Sequence, residues 1–181
     1  MTFNLDKITN NSVIVIAGNS CSGKTTMANL VANSFNREIC LVNGRNAEYN
    51  NVTEHMNFEE MDVIFEQHKD DGYYFKRKIF VVENYIANNN NMSIISKYVY
   101  MNKVLGISIV IVSQYPYTIF NRFSNKIDYV FIFKMANFYH KMFEEYFTNR
   151  HDYIEHNNSL RKFEALVLFH GKNKMTYKSN H

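Results

Sequence analysis

Residues that staple, break or bend a chain are scarce here: two cysteines, one proline and six glycines among 181 residues. Cys21 and Cys40 match neither a disulfide framework nor a zinc-ligand spacing, which argues against a disulfide scaffold and a cysteine-based metal centre. A reduced, intracellular setting is the expectation. The single proline is Pro116, and no Pro/Gly/Ser linker divides the chain, so one domain over residues 1–181 is expected. Internal repeats are absent. No apolar run reaches the roughly 18–20 residues of a membrane span, and the polar start MTFNLDKITNN does not read as a signal peptide. Charge of one sign is lacking too. Twenty Lys and Arg stand against 17 Asp and Glu, a formal net charge of +3. That balance permits a nucleic-acid partner without requiring one. No aromatic–basic RNA-binding signature is present, and the histidines show no metal-ligand spacing.

What the chain has is apolar substance: 46% hydrophobic and 15% aromatic residues, enough for one well-filled core. Five apolar runs read as strands: Val13–Ala17, Ile39–Val42, Ile79–Glu83, Ile107–Ser113 and Tyr129–Phe133. Helical spacing lies between most of them, over Thr25–Phe35, Phe58–His68 and Ser93–Val104, with another helix expected over 137–147. The aromatic and methionine positions of that last stretch read as core. Asn88–Asn91 reads as a solvated loop, and Lys76-Arg77-Lys78 as a solvated entry to the third strand. Two further strands, Phe163–Phe169 and Lys174–Lys178, are joined by HGKN and predict a hairpin at a sheet edge. Strands alternating with helices predict an α/β fold: a mostly parallel sheet with helices on both faces, a three-layer sandwich with a C-terminal β-hairpin.

The most informative stretch is GNSCSGKT, Gly18 to Thr25. Its spacing, G-x-x-x-x-G-K-[ST], is that of a phosphate-binding loop. The glycines let the backbone curl so that N–H groups of Gly18, Asn19, Ser20, Cys21, Ser22 and Gly23 can line an anion site. The following helix adds its unpaired N–H groups at Lys24, Thr25 and Thr26 and the positive end of its dipole. Lys24 has the reach for the β- and γ-phosphates of a nucleotide, and the Thr25 hydroxyl can ligate Mg²⁺. ATP with Mg²⁺ is the expected cofactor. Cys21, inside the loop, reads as a small loop residue.

Ligands in an open parallel sheet sit at the carboxyl ends of the strands. The third strand, KIFVVENY, closes on Glu83, a carboxylate suited to Mg²⁺ beside the γ-phosphate. Asn84 follows, where a second acid would polarise the attacking water; an amide positions water but is a poor base. A register one residue later would make Glu83 that base instead. The fourth strand, GISIVIVSQYP, turns polar at Ser113 and Gln114, and a neutral amide there can contact the γ-phosphate or the water.

Taken in order, GNSCSGKT, FVVEN, SIVIVSQYP and RFSNKIDYVFIFK resemble the DNA-packaging ATPases of poxviruses and other large DNA viruses, in the FtsK–HerA branch of the P-loop ATPases. The match spans about Val13 to Lys134. The resemblance implies ATP hydrolysis coupled to translocation of double-stranded DNA, a homo-oligomeric ring, capsid or portal-vertex partners, and residence in the host cytoplasm or the virion. It also implies a basic residue that completes a neighbouring subunit's site. The family's two acids are here Glu83 and Asn84, and its Gly-Arg-His segment is Asn102-Lys103-Val104, so Lys103 stands where the family has arginine. Lysine lacks the planar fork of a guanidinium; Arg122 is the other basic candidate. Two rival readings stay open. One is a nucleoside or nucleotide kinase, although the six arginines form no lid-like cluster. The other is a nucleotide-binding assembly switch with little or no turnover.

Overall fold

A computed structural model of the chain describes residues 3–44, 48–83, 89–135, 143, 150–161, 163–169 and 174–177. The elements run β1 (Val13–Ala17), α1 (Lys24–Ser34), β2 (Glu38–Val42), β3 (Val52–Met56), α2 (Phe58–His68), α3 (Gly72–Lys76), β4 (Lys78–Val82), α4 (Asn89–Leu105), β5 (Ser108–Ser113), α5 (Tyr117–Phe123), β6 (Tyr129–Ile132), α6 (Arg150–Ser159), β7 (Ala165–Phe169) and β8 (Lys174–Tyr177). The strands form one eight-stranded sheet in the order β3-β2-β4-β5-β1-β6-β7-β8. Pairings from β3 to β6 are parallel, whereas β7 runs antiparallel to both β6 and β8. This is the expected mostly parallel sheet, ending in the expected C-terminal hairpin.

The sheet separates two apolar layers. Val13, Val15 and Ala17 of β1 face a cluster with α2, α3 and α4, where Phe75, Phe80 and Tyr98 are fully buried. Ile14 and Ile16 face the other way, onto Met27, Ala28, Val31 and Ala32 of α1. Strands covered on both sides read as near-continuous apolar runs, and β1, β4 and β5 are buried throughout, with polar residues only at the ends of β4 and β5. Asn57 starts α2 with a reciprocal cap: its side chain accepts from the Glu60 amide at 2.9 Å, and the Glu60 carboxylate accepts from the Asn57 amide at 2.7 Å.

Several expectations need correction. The sheet has an additional edge strand, β3, whose VTEHM sequence alternates in burial on a half-covered edge. Helices α3, α5 and α6 were also not anticipated; α5 opens directly after Pro116, a residue that suits a helix start. Asn89–Asn91 are not loop but the first turn of α4. Leu30 of α1 is 40% exposed, and Met27, Ala28, Val31 and Ala32 form the helix's buried apolar face. The helix expected over 137–147 lies outside the described residues, except for Phe143, which is buried against Phe120 and Tyr153. The HGKN turn, residues 170–173, also lies outside them.

Candidate nucleotide site

The loop from Gly18 to Gly23 leaves the carboxyl end of β1, the strand that lies between β5 and β6. Its backbone passes through left-handed conformations at Cys21 (φ 57°) and Gly23 (φ 101°). Gly23 is the N-cap of α1 and makes no side-chain cap bond; no acidic residue occupies the first turn either. The first N–H groups of the helix are therefore left for an external acceptor. Both motif glycines are sterically required. A Cβ on Gly18 would sit 2.7 Å from Phe133 Cβ and from Ser22 Oγ, and a Cβ on Gly23 would sit 2.7 Å from Phe163 Cδ1. Ser22 Oγ is buried and has no hydrogen-bond partner among the described residues. A buried hydroxyl without a partner is a polar group that a ligand in this loop could satisfy.

Lys24 is 9% exposed, and its Nζ donates to the Asn19 carbonyl at 2.6 Å. Burial lowers its pKa; the negative charge of Glu83, and then Cys21, works in the opposite direction. The Lys24 amine is thus held in a partly desolvated place where a phosphate would favour its charged form. Glu83 is 5% exposed and follows β4 directly. Its amide donates to the Val42 carbonyl at 3.0 Å, so the β2–β4 ladder continues one residue further, and the carboxylate Oε1 accepts a hydrogen bond from Tyr49 Oη. Gln114 is exposed and follows Ser113, which pairs with Ala17; the register therefore sets Gln114 beside Gly18 at the same sheet edge. Thr25, half-buried, and Thr26, exposed, open α1 after Lys24. Ser20 and Cys21, at the exposed crown of the loop, lie with Ser20 Oγ 3.7 Å from Cys21 Sγ. Asn84 lies outside the described residues.

Two expected residues are elsewhere. Lys103 Nζ contacts Asp128 Oδ1 at 3.0 Å and the Asn11 carbonyl at 2.8 Å, residues that precede β6 and β1. It therefore sits at the amino end of the strands, opposite the Gly18–Gly23 loop of its own chain. Arg122 is exposed near the end of α5, its guanidinium carbon 6.0 Å from the Phe123 ring centroid, and its carbonyl accepts from Tyr100 Oη at 3.4 Å. Two neighbours carry no motif, Tyr49 on Glu83 and Phe163 against Gly23, while Phe133, against Gly18, ends a strand the sequence does announce. Tyr49 and Phe163 meet their partners only through the sheet order.

Neither the family models nor the curated proteins compared with this sequence match it. Solved structures do match in fold. The chain is similar to B204, the DNA-packaging ATPase from Sulfolobus turreted icosahedral virus, with a TM-score of 0.68 at 14% identity, over 96% of this chain and 100% of that one. The genome-packaging NTPase B204 from Sulfolobus turreted icosahedral virus 2, in complex with ATP-gammaS, gives 0.66 at 11% identity, over 94% and 98%. The cytoplasmic domain of the Thermomonospora curvata type VII secretion ATPase EccC gives 0.63 at 13% identity, over 94% of this chain and 25% of that one. The chain shares the fold of these ATPases, and in it the Gly18–Thr25 segment follows β1 and Glu83 follows β4. No described helix is long and apolar enough to cross a membrane.

Proposed function

We propose that this chain is an ATPase that drives double-stranded DNA into a viral capsid. The observation that carries the reading is the loop of Gly18–Lys24, preorganised around a buried unsatisfied hydroxyl with the Glu83 carboxylate beside it. Its resemblance in fold to viral packaging ATPases supplies the direction of the work. In this reading the amides of Gly18–Thr26 cradle the phosphates of ATP and Lys24 neutralises the β- and γ-phosphates. The donors fit a Mg²⁺ ion: the Thr25 hydroxyl and the Glu83 carboxylate are hard oxygen ligands, the kind this ion takes along with phosphate oxygens. Bound there, Mg²⁺ would supply charge neutralisation at the triphosphate. Gln114, at the edge beside Gly18, contacts the γ-phosphate or the attacking water, and Asn84 positions that water.

A ring of identical subunits gives Lys103 a role that its distance from its own loop denies it. A head-to-tail ring joins two different surface patches, and an interface that sets Lys103 or Arg122 of one subunit against the Gly18–Thr25 loop of the next lets that residue complete the neighbour's site and stabilise transition-state charge. Capsid or portal-vertex proteins are the proposed partners, and the host cytoplasm or the virion the proposed location. The test is phosphate release from ATP, with and without duplex DNA. Release stimulated by DNA and abolished by Lys24→Ala is expected. Bound Mg²⁺–ATP with no turnover at any DNA concentration would remove the motor and favour the nucleotide-dependent assembly switch that Asn84, a poor base, would suit.

A further inference from the structure

Tyr49 comes from the crossover between β2 and β3, a stretch with no motif. Its ring is 6% exposed and belongs to the α1-side apolar cluster with Leu41, Val81 and Met27. The residues after it are tied to α1, the helix that begins with Lys24. The Asn50 amide donates to Asn29 Oδ1 at 3.1 Å, and Asn51 Nδ2 donates to Asn33 Oδ1 at 2.7 Å. The phenol is thus fixed by packing on one side and by α1 on the other, and its hydroxyl donates to Glu83 Oε1. A phenol keeps its proton at neutral pH and the carboxylate can only accept, so Tyr49 is the donor of this bond.

The consequence concerns Glu83. A buried carboxylate beside a buried ammonium would ordinarily close into an ion pair. Here Lys24 Nζ is bonded to the Asn19 carbonyl and Glu83 to Tyr49, so each charge is held by a group other than its opposite. We propose that Tyr49 is the positioning residue of the magnesium carboxylate: its hydroxyl holds Oε1, fixes the Glu83 side chain, and leaves Oε2 for the ion or its water. This rests on the phosphate-loop reading above. Partners in the outer shell of a metal site orient its ligands, and their loss typically lowers metal affinity about 10–100-fold.

The test compares ATP binding by calorimetry in EDTA and in excess Mg²⁺, for the wild type, Tyr49→Phe, Glu83→Ala and the double variant. Phe keeps the packed ring and removes only the hydroxyl. The expected result is that Tyr49→Phe binds ATP in EDTA within about twofold of the wild type but loses about tenfold of the Mg²⁺-dependent tightening. In the Glu83→Ala background the same change adds nothing. Tyr49→Phe with full Mg²⁺-dependent tightening overturns the assignment. So does an equal loss in EDTA and Mg²⁺, which would make Tyr49 a packing residue only. A wild type that binds no ATP in either condition removes the phosphate-loop reading itself, and the assignment with it.

Discussion

Gly23→Ala tests the loop where its geometry is most demanding. Gly23 has φ 101° and caps α1, and an added Cβ would lie 2.7 Å from Phe163 Cδ1. Two costs add. An L residue held in so sparsely populated a backbone region costs about 1–3 kcal/mol. Forcing a methyl into the Phe163 ring adds about 1–3 kcal/mol, less whatever the ring recovers by moving. Phe163 is itself 39% exposed, so it has room to yield. The expected loss of unfolding free energy, from urea titration at constant m, is about 2–4 kcal/mol. A double variant separates the two costs. With Phe163→Ala the clash disappears and the backbone cost stays, so the pair is expected to be less destabilised than the sum of the single variants, by about 1 kcal/mol or more. Gly23→Ala that loses less than about 0.5 kcal/mol, or single variants that simply add, would refute the loop conformation and the Phe163 contact.

Three other outcomes follow from particular contacts. Tyr98 Oη donates to the Met61 carbonyl at 2.7 Å in the buried layer between α2 and α4, so Tyr98→Phe is expected to cost about 1–2 kcal/mol in thermal or chemical denaturation. Lys97 Nζ lies 2.6 Å from both Asp62 and Glu66, and its hydrogen bond, followed by that of Lys69, lowers the Glu66 pKa to about 2. A carboxylate with a depressed folded pKa stabilises the fold above its unfolded value, near 4.3, and loses that stabilisation as pH falls through the folded value. The stability difference between wild type and Lys97→Met is therefore expected to shrink from pH 5 down to pH 2, and a difference constant over that window would contradict the pairing. Gln114→Ala, at an exposed position beside Gly18, is expected to leave stability within about 0.5 kcal/mol and ATP affinity near the wild-type value while lowering phosphate release; unchanged release would remove Gln114 from the site.

Legibility in the sequence followed the range of the contacts. β1, β4 and β5 were readable because a strand covered on both faces is apolar through its middle, with polar Lys78, Ser108 and Ser113 only at the ends of β4 and β5. β3 was not, because an edge strand buries only part of its length and VTEHM satisfies that with polar residues. The asparagine run misled because Asn competes with helix interiors but is tolerated in a first turn, which is where Asn89–Asn91 lie. The turn of Gly18–Gly23 after β1 and the position of Glu83 at the end of β4 were legible because both are local: a glycine spacing and a strand end. Tyr49 meets Glu83 only because β2 neighbours β4, and Phe163 meets Gly23 only because the C-terminal hairpin extends the sheet past β6. No pattern of neighbouring residues announces either contact.

The central claim is that the turn around Lys24 holds a nucleoside triphosphate. Titration calorimetry of ATP with Mg²⁺ into the wild type and Lys24→Ala tests it most directly. Saturable uptake of ATP at one site per chain, lost in the variant, is the predicted result. No heat of binding in the wild type, or equal uptake by Lys24→Ala, would contradict it.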